Sequence, residues 1–165
     1  MITAVQKEAA WLATTGDGLP ALPAAGGGPF EVVQGYWPRT FAARKTGLYL
    51  VRTGFNDMRF GAHRKLRRHL FTARLVWPVG YTTISTDLWE TEQEALDAAV
   101  DAVVARIVAF DGDKTHGGRF LSVAEAPADS PIQARFVDPA QLPTQGGAAL
   151  GVDVTYTADD TDYTG

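Results

Sequence analysis

Residues 66–77 read LRRHLFTARLVW and form the longest predicted strand of the chain. Polar and apolar side chains alternate along its second half, which is typical of a strand with one buried face. Residues 47–53, GLYLVRT, predict another strand shortly before it. Between them, residues 54–65 read GFNDMRFGAHRK, and the glycines and the Asn-Asp pair are typical of turns. We therefore expect an antiparallel pair with a long projecting hairpin loop. One face of the longer strand carries Phe71, Ala73, Leu75 and Trp77, and the other carries Thr72 and Arg74.

A long helix is predicted after this pair, from about residue 92 to residue 110. Its apolar residues recur every three or four positions and form one stripe that can pack on a sheet. Thr91 and Glu94 fit a capping box, in which each side chain satisfies a free backbone N–H. The Asp-Gly-Asp sequence at 111–113 ends the pattern. The stripe consists of Leu96, Val100, Val103, Val104 and Ile107.

The other predicted elements are short. Residues 5–13 predict a helix with Val5, Ala9 and Leu12 on its apolar face and with Lys7 and Glu8 on the other face. Strands are predicted at 30–37, 119–125, 132–137 and 150–157.

Breaker-rich runs at 15–29 and 138–150 predict loops, and the acidic residues 158–165 predict a flexible end. The order of elements is neither a βα repeat nor an all-β pattern. We therefore expect one α+β domain over residues 1–165, an antiparallel sheet covered by one long and one short helix.

Charge is sorted along the chain. Residues 1–80 contain 11 basic and 4 acidic residues, a net charge of +7, whereas residues 81–165 contain 4 basic and 15 acidic residues, a net charge of −11. Such asymmetry is typical of proteins that meet nucleic acid, a membrane surface or a charged partner. Complementary ends also allow copies of one chain to meet head to tail. Solvated surface is the alternative interpretation for both sets.

Catalytic motifs are missing from the sequence. There is no cysteine, which excludes disulfides and thiolate chemistry and fits a reducing compartment. The histidines, His63, His69 and His116, are scattered without a metal-ligand spacing, and His116 is predicted in a surface turn. Asp97 and Asp101 share a helix face, and a pocket that gathers them with His116 would favour an enzyme. Without that support we expect no catalytic residue, no metal and no cofactor.

A basic segment near the predicted hairpin tip is the first candidate for a binding surface. The acidic set at the start of the long helix of a neighbouring copy would complement it. Such charge complementarity sets the register of assembled interfaces. Nucleic-acid binding is the alternative, since aromatic residues lie between the basic ones. The basic set is Arg59, Arg64, Lys65, Arg67 and Arg68, and the acidic set is Asp87, Glu90, Glu92 and Glu94.

The order and local character of these segments resemble the tail terminator proteins of long-tailed bacteriophages. The resemblance runs from Val5 to Thr157 and rests on a short helix, the strand GLYLVRTG, a projecting loop, the strand HLFTARLVWPV, the helix TEQEALDAAVDAVVARIVAF, a strand pair and the strand GVDVTYT. The long segment 19–41 and the loop 138–150 depart from a compact terminator. Other neck or head-completion proteins and tail tube proteins are alternatives of similar build.

The resemblance implies a structural virion protein without catalytic residues. Such a subunit forms a homo-hexameric ring that caps the tail tube, stops its polymerisation and docks to the filled head. The expected partners are the major tail tube protein and a head-completion or connector protein, and DNA passes through the lumen without sequence-specific binding. The expected location is the neck of the virion after assembly in the bacterial cytoplasm, with no membrane contact. We expect the acidic set to lie nearer the channel than the arginines.

Overall fold

A computed structural model describes residues 1–41, 45–59, 64–79, 86–109, 112–124, 132–138 and 149–163. The fold is mixed α+β. Its elements, in chain order, are α1 (Ala4–Leu12), β1 (Val32–Gly35), β2 (Gly47–Arg59), β3 (Arg64–Pro78), α2 (Thr86–Val108), β4 (Ser122–Val123), β5 (Gln133–Phe136) and β6 (Ala149–Tyr163).

These strands form one sheet in the order β1-β2-β3-β6-β4, with β5 also paired to β6. β1 runs parallel to β2, whereas the β2–β3, β3–β6, β4–β6 and β5–β6 pairs are antiparallel. The predicted antiparallel sheet is therefore not confirmed as such, because the sheet is mixed: four pairs are antiparallel and the β1–β2 pair is parallel. The segment from Tyr36 to Thr46 is long enough to carry the chain back to the starting end of the sheet, as a parallel pair requires.

The strands β2 and β3 are longer than the sequence predicts. Residues 54–59, predicted as part of the turn, pair with β3, and the register shifts between Arg52 and Gly54. Thr53 is the extra residue of this bulge, and the strand continues beyond it. The tip of the predicted hairpin, 60–63, lies outside the described residues.

The acidic end was predicted to be flexible from residue 158, and this prediction is wrong as far as Tyr163, because β6 pairs with β3 along its whole length. Asp159 lies in this strand and accepts two hydrogen bonds from the Arg68 guanidinium. A cross-strand ion pair thus joins Asp159 to β3, although the acidic composition of this segment predicted a solvated end. Residues 164–165 and most of the predicted 138–150 loop lie outside the described residues.

The long helix begins earlier than predicted. Thr91 lies inside α2, so the predicted capping box with Glu94 is wrong. The Glu92 carboxylate accepts a hydrogen bond of 2.6 Å from Trp77 Nε1, which ties the additional turns to the end of β3. The short helix is confirmed: α1 has a capping box formed by Thr3 and Gln6.

Both helices contribute to one hydrophobic core on the sheet. The predicted face of β3 is confirmed, because Phe71, Ala73, Leu75 and Trp77 are buried in that core. The α2 stripe is confirmed as well: Leu96, Val103 and Ile107 are buried, and Val100 and Val104 pack against them. A smaller cluster consists of Phe41, Tyr49, Val76 and Ala149.

Candidate functional site: the charged sheet end

The three long strands continue beyond the core as a surface rich in charged side chains. We call residues 52–59, 64–70 and 157–163 the charged sheet end. It includes all five residues of the predicted basic set. On β2, residues 52–59 are exposed except for Gly54, which is half-buried, so this part of the sheet borders solvent.

Strand alternation places the basic residues on two faces. Arg67 lies on the same face as His69 and Phe71, the side of the core, whereas Arg68 lies on the opposite face with Leu66 and Leu70. The sequence already indicated that these neighbouring arginines point in opposite directions. One flat ligand therefore cannot contact all the basic side chains together.

Two of these arginines form bidentate ion pairs within the chain. Arg67 donates to both carboxylate oxygens of Asp57 at 2.7 and 2.9 Å, and Arg68 donates to both of Asp159 at 2.7 and 3.1 Å. The Arg67 guanidinium lowers the pKa of Asp57 below its ordinary value. These pairs reduce the charge that either arginine offers to a partner.

Folding therefore does not preserve the separation between a basic half and an acidic half. Arg68 belongs to the first half and Asp159 to the second, and they lie side by side. Farther along the same strands, Arg74 forms another bidentate pair with Asp153, with both contacts at 2.9 Å. The net charges of +7 and −11 overstate the dipole of the folded molecule.

Arg59 and Lys65 are less committed than Arg67 and Arg68, although the charge of Lys65 contributes to the lowered pKa of Asp57 and Lys65 lies across from Asp162 on β6. They are opposite each other on β2 and β3, and neither forms an ion pair or hydrogen bond with the side chains that the structure describes. Arg64 begins β3, but its side chain lies outside the described residues. The interface hypothesis thus rests on Arg59 and Lys65 more than on Arg67 and Arg68.

The acidic set lies at the opposite end of β3. Glu90 and Glu94 are exposed on α2, and neither has an ion pair within the described part of the chain. Glu92 accepts a hydrogen bond from Trp77. Trp77 lies ten residues after Arg67 on β3, so the two residues are about 33 Å apart along the extended strand. Glu92 is therefore turned toward the sheet. Asp87 belongs to α2, and its side chain lies outside the described residues.

A buried polar cluster joins α1 to the segment after α2, and the sequence interpretation missed it. Both carboxylate oxygens of Glu8 lie 2.9 Å from His116 Nδ1, and Tyr156 Oη donates to Glu8 at 2.8 Å. His116 Nε2 lies 2.9 Å from the Ile107 carbonyl oxygen, which can only accept. Both ring nitrogens therefore lie at hydrogen-bond distance from oxygen atoms, so Glu8 and His116 form a fully buried pair with both ring nitrogens satisfied. Burial, and then the charge of Glu8, raises the pKa of Tyr156 well above 10.

Two expectations about this cluster are wrong. Glu8 was placed on the solvent face of α1 and His116 in a surface turn, yet both are fully buried. The spacing of Val5, Glu8, Ala9 and Leu12 is i, i+3, i+4, i+7, so Glu8 already belongs to the apolar face. No local pattern indicates its partner, which is 108 residues away.

Arg106 forms a second buried cluster that the sequence interpretation missed. It donates to the Trp11 carbonyl oxygen at 2.9 Å, to Thr14 Oγ1 at 2.6 Å and to Asp17 Oδ2 at 3.0 Å. Its guanidinium also lies 4.5 Å from the centre of the Trp11 ring. The hydrogen bond from Arg106 lowers the pKa of Asp17. Full burial gives this arginine a structural role between α1 and α2.

The structure does not assemble the residues considered for catalysis. Asp97 and Asp101 are exposed on α2, while His116 is fully buried beside Glu8. Buried His69 lies on β3, and His63 lies outside the described residues. Within the described ranges, no three His, Cys, Asp or Glu side chains are grouped so that they could hold a metal ion. No helix in those ranges is long and apolar enough to cross a membrane.

The comparisons with known proteins add no family assignment. No protein-family model matches the chain, and no curated protein matches its sequence.

Proposed function

We propose that this protein is a structural subunit of a closed ring of the tail-terminator type. In this proposal a homo-hexamer caps the phage tail tube, stops its polymerisation and joins the tail to the head. Its partners are the major tail tube protein and a head-completion or connector protein, and its location is the virion neck. The β2–β3 tip acts as a projecting hairpin loop, and DNA passes through the lumen.

The observation that carries the proposal is the outer edge of β2. β1 pairs only with Gly47–Leu50, and in the described part of the chain no strand pairs with that edge from Val51 to Arg59. A long unpaired edge exposes backbone N–H and C=O groups and invites another strand. A neighbouring subunit in a ring covers such an edge, which turns an aggregation hazard into an assembly surface.

Charge distribution supports head-to-tail contact between copies. Arg59 and Lys65 lie at one end of the sheet, and Glu90 and Glu94 are exposed on the part of α2 that Glu92 connects to Trp77 near the other end of β3. A contact between two different patches closes into a ring when its rotation allows. Opposite charges on the two patches favour that register and disfavour contact between like ends.

Native mass spectrometry with negative-stain imaging tests the proposal. We expect annular particles of about six copies for the unmodified protein, because closed symmetry is the rule for soluble homo-oligomers. The variant Arg59→Glu/Lys65→Glu weakens assembly, and Glu90→Lys/Glu94→Lys weakens it as well. Combining all four changes restores it, since the charges are exchanged but remain complementary.

A matched control uses Asp97→Lys/Asp101→Lys, which changes the same amount of charge on exposed positions of α2. We expect this control to assemble like the unmodified protein. A chain that stays monomeric both alone and with tail tubes refutes the proposal. Equal loss of assembly in the control and the test variants refutes the assignment of the charged surfaces.

A further inference from the structure

A polar cleft lies where the N-terminal turn of α1 approaches the charged sheet end. Its volume is about 470 Å³, larger than a phosphate group needs. Three cationic side chains line it, Lys7, Arg52 and Arg67, against one lining carboxylate, Asp160. The cleft therefore carries an excess of positive charge.

Arg52 is the cation best placed to bind a ligand there. It is exposed, and within the described residues its guanidinium has no carboxylate partner. It contacts His69 Nδ1 at 3.4 Å and lies 4.7 Å from the centre of the Phe55 ring. Arg67, by contrast, is bound to both carboxylate oxygens of Asp57. Its guanidinium also lies 4.5 Å from the centre of the Phe55 ring.

His69 supplies a second, independent sign of a ligand. Because a guanidinium can only donate, its contact with Nδ1 makes that nitrogen the acceptor and places the ring hydrogen on Nε2. The side chain is buried, with 4% of it exposed, and Nε2 has no hydrogen-bond partner in the described structure. The nearest acceptor, Asp160 Oδ2, is 3.8 Å away, beyond hydrogen-bond distance. A buried donor without an acceptor at the wall of a cationic cleft calls for an acceptor from outside.

We propose that this cleft binds a phosphate group, with Arg52 and Lys7 as the charged donors and His69 Nε2–H as the neutral donor. The first turn of α1 adds a favourable dipole, since helix N-termini attract anions. Free phosphate and the phosphodiester of a nucleic acid share this chemistry. The proposal does not depend on ring assembly, because all its donors belong to one chain.

Isothermal titration of the full-length chain with inorganic phosphate tests the site, with acetate and a short single-stranded DNA as further arms. We expect binding of phosphate and at least about tenfold weaker binding for Arg52→Met, because the variant removes a charged hydrogen-bond donor. The control Arg135→Met removes an exposed arginine of β5 and leaves affinity unchanged. In the NMR spectrum, phosphate shifts the His69 ring signals of the unmodified protein and not those of Arg52→Met.

The arms separate the sources of the phosphate. Binding of free phosphate with no added affinity for DNA assigns a small ligand, and much tighter binding of DNA that is lost in Arg52→Met assigns a nucleic-acid backbone. Absence of phosphate and DNA binding overturns the proposal. Equal binding by Arg52→Met, or binding of acetate alone, also overturns it, and the latter result indicates a carboxylate from a protein partner. Ring formation is measured separately, so either proposal can fail alone.

Discussion

Replacing Glu8 by leucine is expected to destabilise the protein by about 3–5 kcal/mol, the usual cost of breaking a buried ion pair. The size follows from the contacts. Glu8 is fully buried and accepts from His116 Nδ1 and Tyr156 Oη, so the change leaves two buried donors without an acceptor. Each unsatisfied donor costs about 1–3 kcal/mol. For a domain of this size, the corresponding fall in Tm is about 6–20 °C.

Urea unfolding followed by tryptophan fluorescence measures this cost, and Trp11 reports on the site because its ring stacks on His116 at 3.4 Å. His116→Leu alone is expected to be equally damaging, and Glu8→Leu/His116→Leu is expected to cost less than the sum of the two, because no charge is left buried without its partner. The control Glu94→Leu removes an exposed carboxylate and is expected to cost under about 0.5 kcal/mol. A cost for Glu8→Leu equal to that of Glu94→Leu refutes the ion pair.

Three further outcomes are expected from unfolding measurements. Burial, and then the charge of Arg52, lowers the pKa of His69 below its ordinary value of 6.5, so the free energy of unfolding falls as the pH drops below 6.5. His69→Gln is expected to remove this part of the pH dependence, and an unchanged dependence contradicts the assignment. Gly28→Ala is expected to lower the free energy of unfolding by about 1–3 kcal/mol, because the added Cβ overlaps a backbone carbonyl. Gly18→Ala meets open space and is expected to lower it by about 1 kcal/mol, the cost of its positive φ. The reverse order contradicts this reasoning. Arg106→Met is expected to cost at least about 3 kcal/mol, far more than the partner change Asp17→Asn; similar costs contradict the central role of the buried guanidinium.

The parts of the fold that the sequence predicts well are those with local periodicity. β3 alternates from Phe71 to Trp77, and α2 repeats its apolar residues from Leu96 to Ile107. Each pattern arises because one face of the element is buried in the core, so each element can be predicted without knowing what it packs against. The α+β class follows from the order of such elements.

Strand ends and strand direction could not be predicted, since they depend on pairs between distant residues. The acidic segment is part of β6 because it pairs with β3, and the ion pair of Arg68 with Asp159 within that pairing joins residues 91 positions apart. The parallel direction of β1 is a matter of its pairing with β2, and the composition of the strand does not indicate it. The same distant pairs limit the charge argument, because they neutralise arginines that look available in the sequence.

The candidate site was predicted in part. The clustering of basic residues near the β2–β3 tip is visible in the sequence, but the division of Arg67 and Arg68 between two faces leaves only some of them together. Arg52 and Lys7 belong to different elements and meet only through packing, so the cleft had no sequence signal. The position of Glu8 on the apolar face of α1 indicated that it is buried, but its charge led to the prediction that it faces solvent.

The position of β6 has a consequence for how the protein is made. β6 is the last strand in chain order, yet it lies inside the sheet between β3 and β4 and pairs with the full length of β3. The ribosome therefore delivers β3 well before its neighbour exists, and the nascent chain exposes a strand edge of 15 residues during that interval. Pairings of such large sequence separation form slowly. Chaperone dependence during synthesis, and aggregation of chains that stop before β6, are the expected results.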